Sequence, residues 1–217
     1  MSGLDDLLPV SGGHRVPGVA VGIVTSNADP QQLGRVKLRL PALSADVESG
    51  WASVVTPMGG GDRGLYLIPE EGDTVLVAFE QGEIDRPFVL GAFWTGVDKP
   101  PQQDDPGNDI RLLRSRSGHV VRLDDTAGAE RIEIVDKSGN NTITIDTAKN
   151  EITLHAAGPI TVSADGDLKL TAQGNLTLEG NRVSIEAKQD LALSAMSRAA
   201  LTSQGALAVK GATVDIN

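Results

Sequence analysis

The sequence predicts an all-β protein: a small N-terminal barrel followed by an intertwined trimeric triangular β-helix, or β-prism. Three observations carry this. All six aromatic residues (Trp51, Tyr66, Phe79, Phe88, Phe93 and Trp94) fall before residue 95, and none lies in 95–217. Short strand patterns separated by Gly- and Pro-rich turns fill residues 15–95. Beyond them, apolar pairs at i, i+2 recur every seven, eight or nine residues to the end of the chain.

The first strand pattern is VAVGIV at 19–24, followed by a turn over 27–30, where Asp29 precedes Pro30. RVKLRL at 35–40 alternates strictly, with Val36, Leu38 and Leu40 on one face and Arg35, Lys37 and Arg39 on the other. Further strands are expected at 52–55, 64–68, 74–79 and 87–91. Five or six short strands in about 80 residues suit a barrel of the OB type. Such barrels commonly bind oligonucleotides, but residues 15–95 carry six Lys and Arg against ten Asp and Glu, without interleaved aromatics. The formal net charge of −10 also speaks against a nucleic-acid partner.

Residues 1–14 form a turn-rich N-terminal segment expected to be poorly ordered alone. Residues 96–109 read as a linker, with Pro100, Pro101 and Pro106. Residues 110–137 lead into the repeats.

The pairs are Ile143/Ile145, Ile152/Leu154, Ile160/Val162, Leu168/Leu170, Leu176/Leu178, Val183/Ile185, Leu191/Leu193, Ala199/Leu201, Leu207/Val209 and Val214/Ile216. An i, i+2 spacing points both side chains to one face of a strand. Turn-forming stretches at 164–167, 172–175, 179–181 and 203–205 separate them. The intervening residues Thr144, Thr153, Thr161, Lys169, Thr177, Ser184 and Asp215 face outward. One strand plus one corner per eight residues is a stacked, one-dimensional architecture. Two inward apolar groups per repeat are too few to fold one chain. Three chains wound about a common axis supply the missing burial. Each repeat advances the chain by one strand spacing, so ten repeats give a shaft about 50 Å long.

Function classes narrow further. The chain has no cysteine, hence no disulfide and no thiolate metal site. Residues 1–20 lack a secretory signal, and no stretch is long enough to span a membrane. His14, His119 and His155 are isolated from one another, and the sequence suggests neither a metal site nor a cofactor. GGGDRG at 59–64 is not followed by Lys-Ser/Thr, so it reads as a flexible barrel loop rather than a phosphate loop. The neighbours Asp124 and Asp125, and Asp165 with Asp167, read as turn residues rather than a calcium site. There is no Gly-x-Ser-x-Gly elbow, and no catalytic residue is assigned.

Several linked motifs carry a family resemblance: GRVKLRLP (34–41), WA (51–52), TPMGGG (56–61), RGLYLIP (63–69), EGDTVLVAF (71–79), RPFVLG (86–91), RSGHVVRLDD (116–125) and ERIEI (130–134). In this order they resemble the spike proteins of contractile injection systems, the phage baseplate spikes and VgrG proteins. The resemblance covers about residues 15–217. It implies an OB-fold collar at 15–95 and a trimeric β-helix spike at 110–217. It further implies hub, tube and baseplate proteins on the OB side, and a PAAR-type tip protein docked on Val214 and Ile216. Many relatives carry a large hub before the OB fold and some phage spikes insert a lysozyme domain after it; here about fifteen residues and the short linker stand in those places. The expectation is a non-enzymatic spike, made in the cytoplasm without a signal peptide and delivered outside the cell on contraction, touching a target membrane only transiently. A trimeric host-binding fibre or adhesin shaft is the alternative.

Overall fold

The computed structural model describes residue 16 and residues 18–215, all without a long helix. The N-terminal segment 1–14, with His14, and the tip residue Ile216 lie outside the described residues. Contacts divide the chain into two units, the first ending at Pro159 and the second starting at Ile160.

The barrel is built from β1 (Val19–Ser26), β2 (Arg35–Leu40), β3 (Ser44–Glu48), β4 (Ala52–Val54), a two-residue ladder of β5 (Gly59–Gly60) with β6 (Arg63–Gly64), β7 (Thr74–Phe79) and β8 (Pro87–Ala92). A single 3-10 turn, Glu80–Gly82, follows β7. The strand order is β1-β7-β8-β4-β2-β3, and β1 also pairs with β2. That extra pairing closes five strands into a barrel consistent with the OB fold, leaving β3 outside the ring against β2. The β4–β8 pair is parallel and the other barrel pairs are antiparallel.

Strict alternation explains the core. Val36, Leu38 and Leu40 of β2 point inward with Ala20 and Val24, Ala52, Val75, Val77 and Phe79, and Val89. Gly22 of β1 shares this interior. A Cβ there would lie 3.1 Å from Val77 Cγ2 and 3.2 Å from Leu40 Cδ2, so the barrel is packed closely enough to exclude a side chain at that point.

The β1–β2 connection is fixed by Asp29. Its carboxylate accepts from the Gln31 and Leu33 amides, each at 3.0 Å, and from Arg35 Nε at 2.9 Å and Nη2 at 2.8 Å. Bidentate pairing with Arg35 is the main cause that holds the Asp29 carboxyl well below the usual carboxylate range. Two of the three cations on the outer face of β2, Arg35 and Lys37, are engaged within the chain. Lys37 pairs with Glu48 of β3, and both Arg35 and Lys37 lie over the Trp51 ring, at 5.9 and 5.5 Å from its centroid.

Two barrel expectations need correction. A strand over 64–68 is replaced by the short β5–β6 ladder and an irregular stretch. Gly64 has φ +148°, and a Cβ there would sit 2.6 Å from the Met58 carbonyl oxygen, so the backbone turns out of line just where a strand was expected to begin. Leu65 donates its amide to Met58 and accepts from the Thr56 hydroxyl. The loop at 59–64 is therefore a tight hairpin. The other correction is β3, which the sequence pattern did not indicate.

Because the Asp29 pKa is lowered on folding, its contribution to stability is present above the ordinary carboxylate range and fades as pH falls through and below about 4. Asp29→Asn is expected to lower the urea midpoint of unfolding at neutral pH and to flatten its decline between pH 5 and 2. An unchanged acid limb would refute the role assigned to this carboxylate.

Candidate interaction surface

Residues 110–156 form a second sheet within the first unit: β9 (Ile110–Arg114), β10 (Val120–Asp124), β11 (Arg131–Val135), β12 (Asn141–Asp146) and β13 (Glu151–Ala156), a simple antiparallel meander. The linker is tied to its first strand, since Asp105 accepts from the Asp109 and Ile110 amides at 3.0 Å each.

Turn chemistry sets the hairpins. Between β11 and β12, Asp136 accepts from the Ser138 hydroxyl at 2.8 and 2.9 Å and from the Asn141 amide and side chain. These bonds, that of Ser138 foremost, draw the Asp136 carboxyl from an ordinary 3.8 down to about 2. Between β12 and β13, Lys149 donates its backbone and side-chain N–H groups to Asp146, at 2.9 and 2.8 Å. His119 Nδ1 accepts from the Lys137 amide at 3.2 Å across the β10–β11 region. His155 is exposed on β13.

Register sorts the side chains into two unlike faces. Directly opposed residues share a face. One row runs Leu113, Val121, Ile134, Ile143, Leu154, and the next runs Arg111, Leu123, Ile132, Ile145, Ile152. Apart from Arg111, both rows are wholly apolar. In one chain these side chains stay between 39% and 75% exposed.

The reverse face is mixed: Ile110, Leu112, Val120 and Val135 lie on it beside charged residues that pair with one another. Arg122 binds Glu133 through Nε at 2.7 Å and through Nη2. Arg131 reaches Asp124 at 3.2 Å and Glu133 at 3.4 Å. Asp124 is buried, and its carboxylate also accepts from the Thr126 amide. These contacts, with the Thr126 hydrogen bonds largest, lower the Asp124 pKa. Thr144 and Thr153 lie in the row of Arg122 and Glu133, on the face expected for them.

A sheet that exposes two contiguous apolar rows on one face is a candidate interaction surface. Two of the expected trimer-core pairs, Ile143/Ile145 and Ile152/Leu154, lie on it. The structure adds Leu113, Val121, Leu123, Ile132 and Ile134 to the same face, from the stretch read only as a lead-in. The signal was there in the alternation of VVRL and RIEI, but their spacing departs from eight residues.

In the second unit, Ile160, Val162, Leu168, Leu170, Leu176, Leu178, Val183, Ile185, Leu191, Leu193, Leu201, Leu207, Val209 and Val214 are 50% to 83% exposed. No strand is assigned among the described residues 160–215. Asp165 and Asp167 lie exposed there. Among the described residues no group of three His, Asp or Glu is placed to hold a metal ion, and no helix is long and apolar enough to cross a membrane.

Comparison with known proteins agrees with the barrel. Residues 20–94 match the profile of the type VI secretion system/phage-baseplate injector OB domain. The type VI secretion system spike protein VgrG5 of Pseudomonas aeruginosa is 29% identical over 133 residues, covering 54% of this chain and 17% of that protein. VgrG2a of the same organism is 25% identical over 125 residues, covering 52% of this chain and 15% of the relative. VgrG3 of Vibrio cholerae is 27% identical over 108 residues, covering 46% and 11%. The match thus spans less than a fifth of each of these three relatives. These likenesses are to an injector OB domain over the barrel and to type VI spike proteins over about half of this chain.

The half-buried ion network should matter more than the exposed one. Glu133→Gln, which leaves Arg122 and Arg131 short of a carboxylate, is expected to cost about 1–3 kcal/mol in urea unfolding followed by circular dichroism. Lys149→Ala, at an exposed pair, should cost under about 1 kcal/mol. Equal costs would contradict the assigned geometry.

Proposed function

We propose that this chain is the structural central spike of a contractile injection system, acting as a homotrimer. The observation that carries the reading is the exposed apolar face of the β9–β13 sheet, whose inward pairs continue in the sequence as the regular repeats of 160–216. A single chain leaves this surface in water. Three copies packed face to face about one axis bury it, and they give the repeat strands partners on neighbouring chains. In this reading residues 15–95 are the collar, 96–109 the linker and 110–217 the spike.

The OB-domain match and the VgrG relatives support a place in an injection complex, and the partners follow from this reading. Hub, tube and baseplate proteins sit on the collar side, and a PAAR-type tip docks on the C-terminal rung at Val214 and Ile216. The role is mechanical and non-enzymatic. Contraction pushes the tube, and the spike passes axial force to the tip. Force along the axis compresses a stack of interchain strands rather than peeling one from another. In this reading the chain leaves the cell with the particle.

Light scattering tests the oligomeric state. The expected mass is three times 22.6 kDa, with resistance to heat or detergent because interwound chains must separate before they unfold. A monomer overturns the proposal. Leu176→Asp is expected to abolish assembly, since it brings three carboxylates together near a dry axis, each costing several kcal/mol. Thr177→Asp, pointing outward, should assemble normally. Equal damage at both positions would mean the register is wrong.

Tip docking has its own test. Deleting residues 210–217 should leave a trimer, because the remaining rungs still stack, while purified particles lose their tip protein. Retention of the tip by the truncated spike in a pull-down would place its docking site elsewhere.

A further inference from the structure

We infer that Arg111 turns the first inward layer of the spike into a three-fold binding site for a tetrahedral oxyanion, of the phosphate or sulfate class. The inference rests on the trimer reading above and adds a ligand to it. Arg111 is opposed to Leu123 on β9, so it occupies the apolar face at the one position where the inward pair is not two hydrocarbon side chains. The remaining pairs in these rows, from Val121/Leu123 to Ile152/Leu154, are apolar throughout.

The guanidinium is only partly engaged within its own chain. Nη1 donates to the Asn108 carbonyl at 2.5 Å and to the Ile110 carbonyl at 3.2 Å. Among the described residues no carboxylate lies within ion-pairing distance of it, whereas Arg122 and Arg131 on the reverse face are both held by acids. Its remaining N–H donors therefore have capacity for a ligand.

Symmetry does the rest. A three-fold axis through the apolar face gathers three copies of Arg111 into one layer, against hydrocarbon on the next. Three like charges so placed repel one another and require a counter-charge. A tetrahedral oxyanion on the axis turns three equivalent oxygens toward three equivalent guanidiniums, and the planar fork of arginine suits oxygen pairs of this kind. β9 is an edge strand, so the layer opens at the collar end and an ion can enter there. The apolar layers below stop it from going further.

The test uses the full chain. Its mass is first measured by light scattering in phosphate-free chloride buffer. Inorganic phosphate is then titrated calorimetrically at constant ionic strength, with sodium chloride as the control titrant. The expected result is saturable binding of one phosphate per three chains, and a higher unfolding temperature with phosphate than with chloride. Arg111→Leu should remain trimeric, lose the binding and lose the phosphate-dependent shift. Arg111→Gln should lose both as well, and it serves if the leucine variant does not assemble. A trimer without saturable phosphate binding, or one whose binding survives both substitutions, overturns the oxyanion site and leaves the trimer standing. A monomer removes the trimer reading and this site with it.

Discussion

The structure turns on one constraint: past the barrel, the chain makes apolar surface that it cannot bury by itself. The barrel closes its own account, with every buried hydrophobic residue of the described chain lying between Ala20 and Val89. Among the described residues beyond 110, the only buried side chain is that of Asp124. The β9–β13 sheet nevertheless holds its register through ladders and through ion pairs on the reverse face. A chain so divided carries one self-sufficient module and one whose apolar face is complete only against other molecules. Ion pairs on one side of the sheet and apolar exposure on the other distinguish its two faces.

The polar side shows how the same logic silences a misleading signal in the barrel. Three cations alternating along β2 beside a tryptophan, on an OB-type barrel, resemble the groove of a nucleic-acid binder. The structure accounts for two of them internally. Arg35 is held by Asp29, Lys37 by Glu48, and both rest on the Trp51 ring. Cations that are paired and stacked within the chain are poorly available to a phosphate backbone. Arg111 differs, since among the described residues no carboxylate lies within ion-pairing distance of it.

Legibility in the sequence followed the strength of periodicity. β2 and β7 alternate without interruption, and their limits were readable to the residue. The faces of β12 and β13 were equally plain, because Ile143/Ile145 and Ile152/Leu154 flank threonines. β3 was hidden because SADVE has no alternation of its own and is a strand only by pairing with β2, across a register shift. RGLYLI misled for the converse reason. Its apolar residues suggest a strand, but Leu65, Tyr66 and Leu67 are exposed and the backbone at Gly64 is extended in a manner open only to glycine. The Asp29 clasp was visible as a turn but not as an ion pair, since the bidentate geometry depends on how β2 leaves the turn.

The shortening of the connections gives the last step. The hairpin loops of the meander occupy 115–119, 125–130, 136–140 and 147–150, each long enough to reverse the chain and each organised by its own turn bonds. After β13 only residues 157–159 precede the next apolar pair, and the last of them, Pro159, has no N–H to give to a ladder. From there the period settles to about eight residues, and no strand is assigned among the described residues 160–215. In the reading proposed above, the chain passes here from a region that hydrogen-bonds to itself into one whose strands pair with other copies. In the proposed trimer this gives the collar side of the spike rigidity within each subunit, and the tip side rigidity that belongs to the assembly alone.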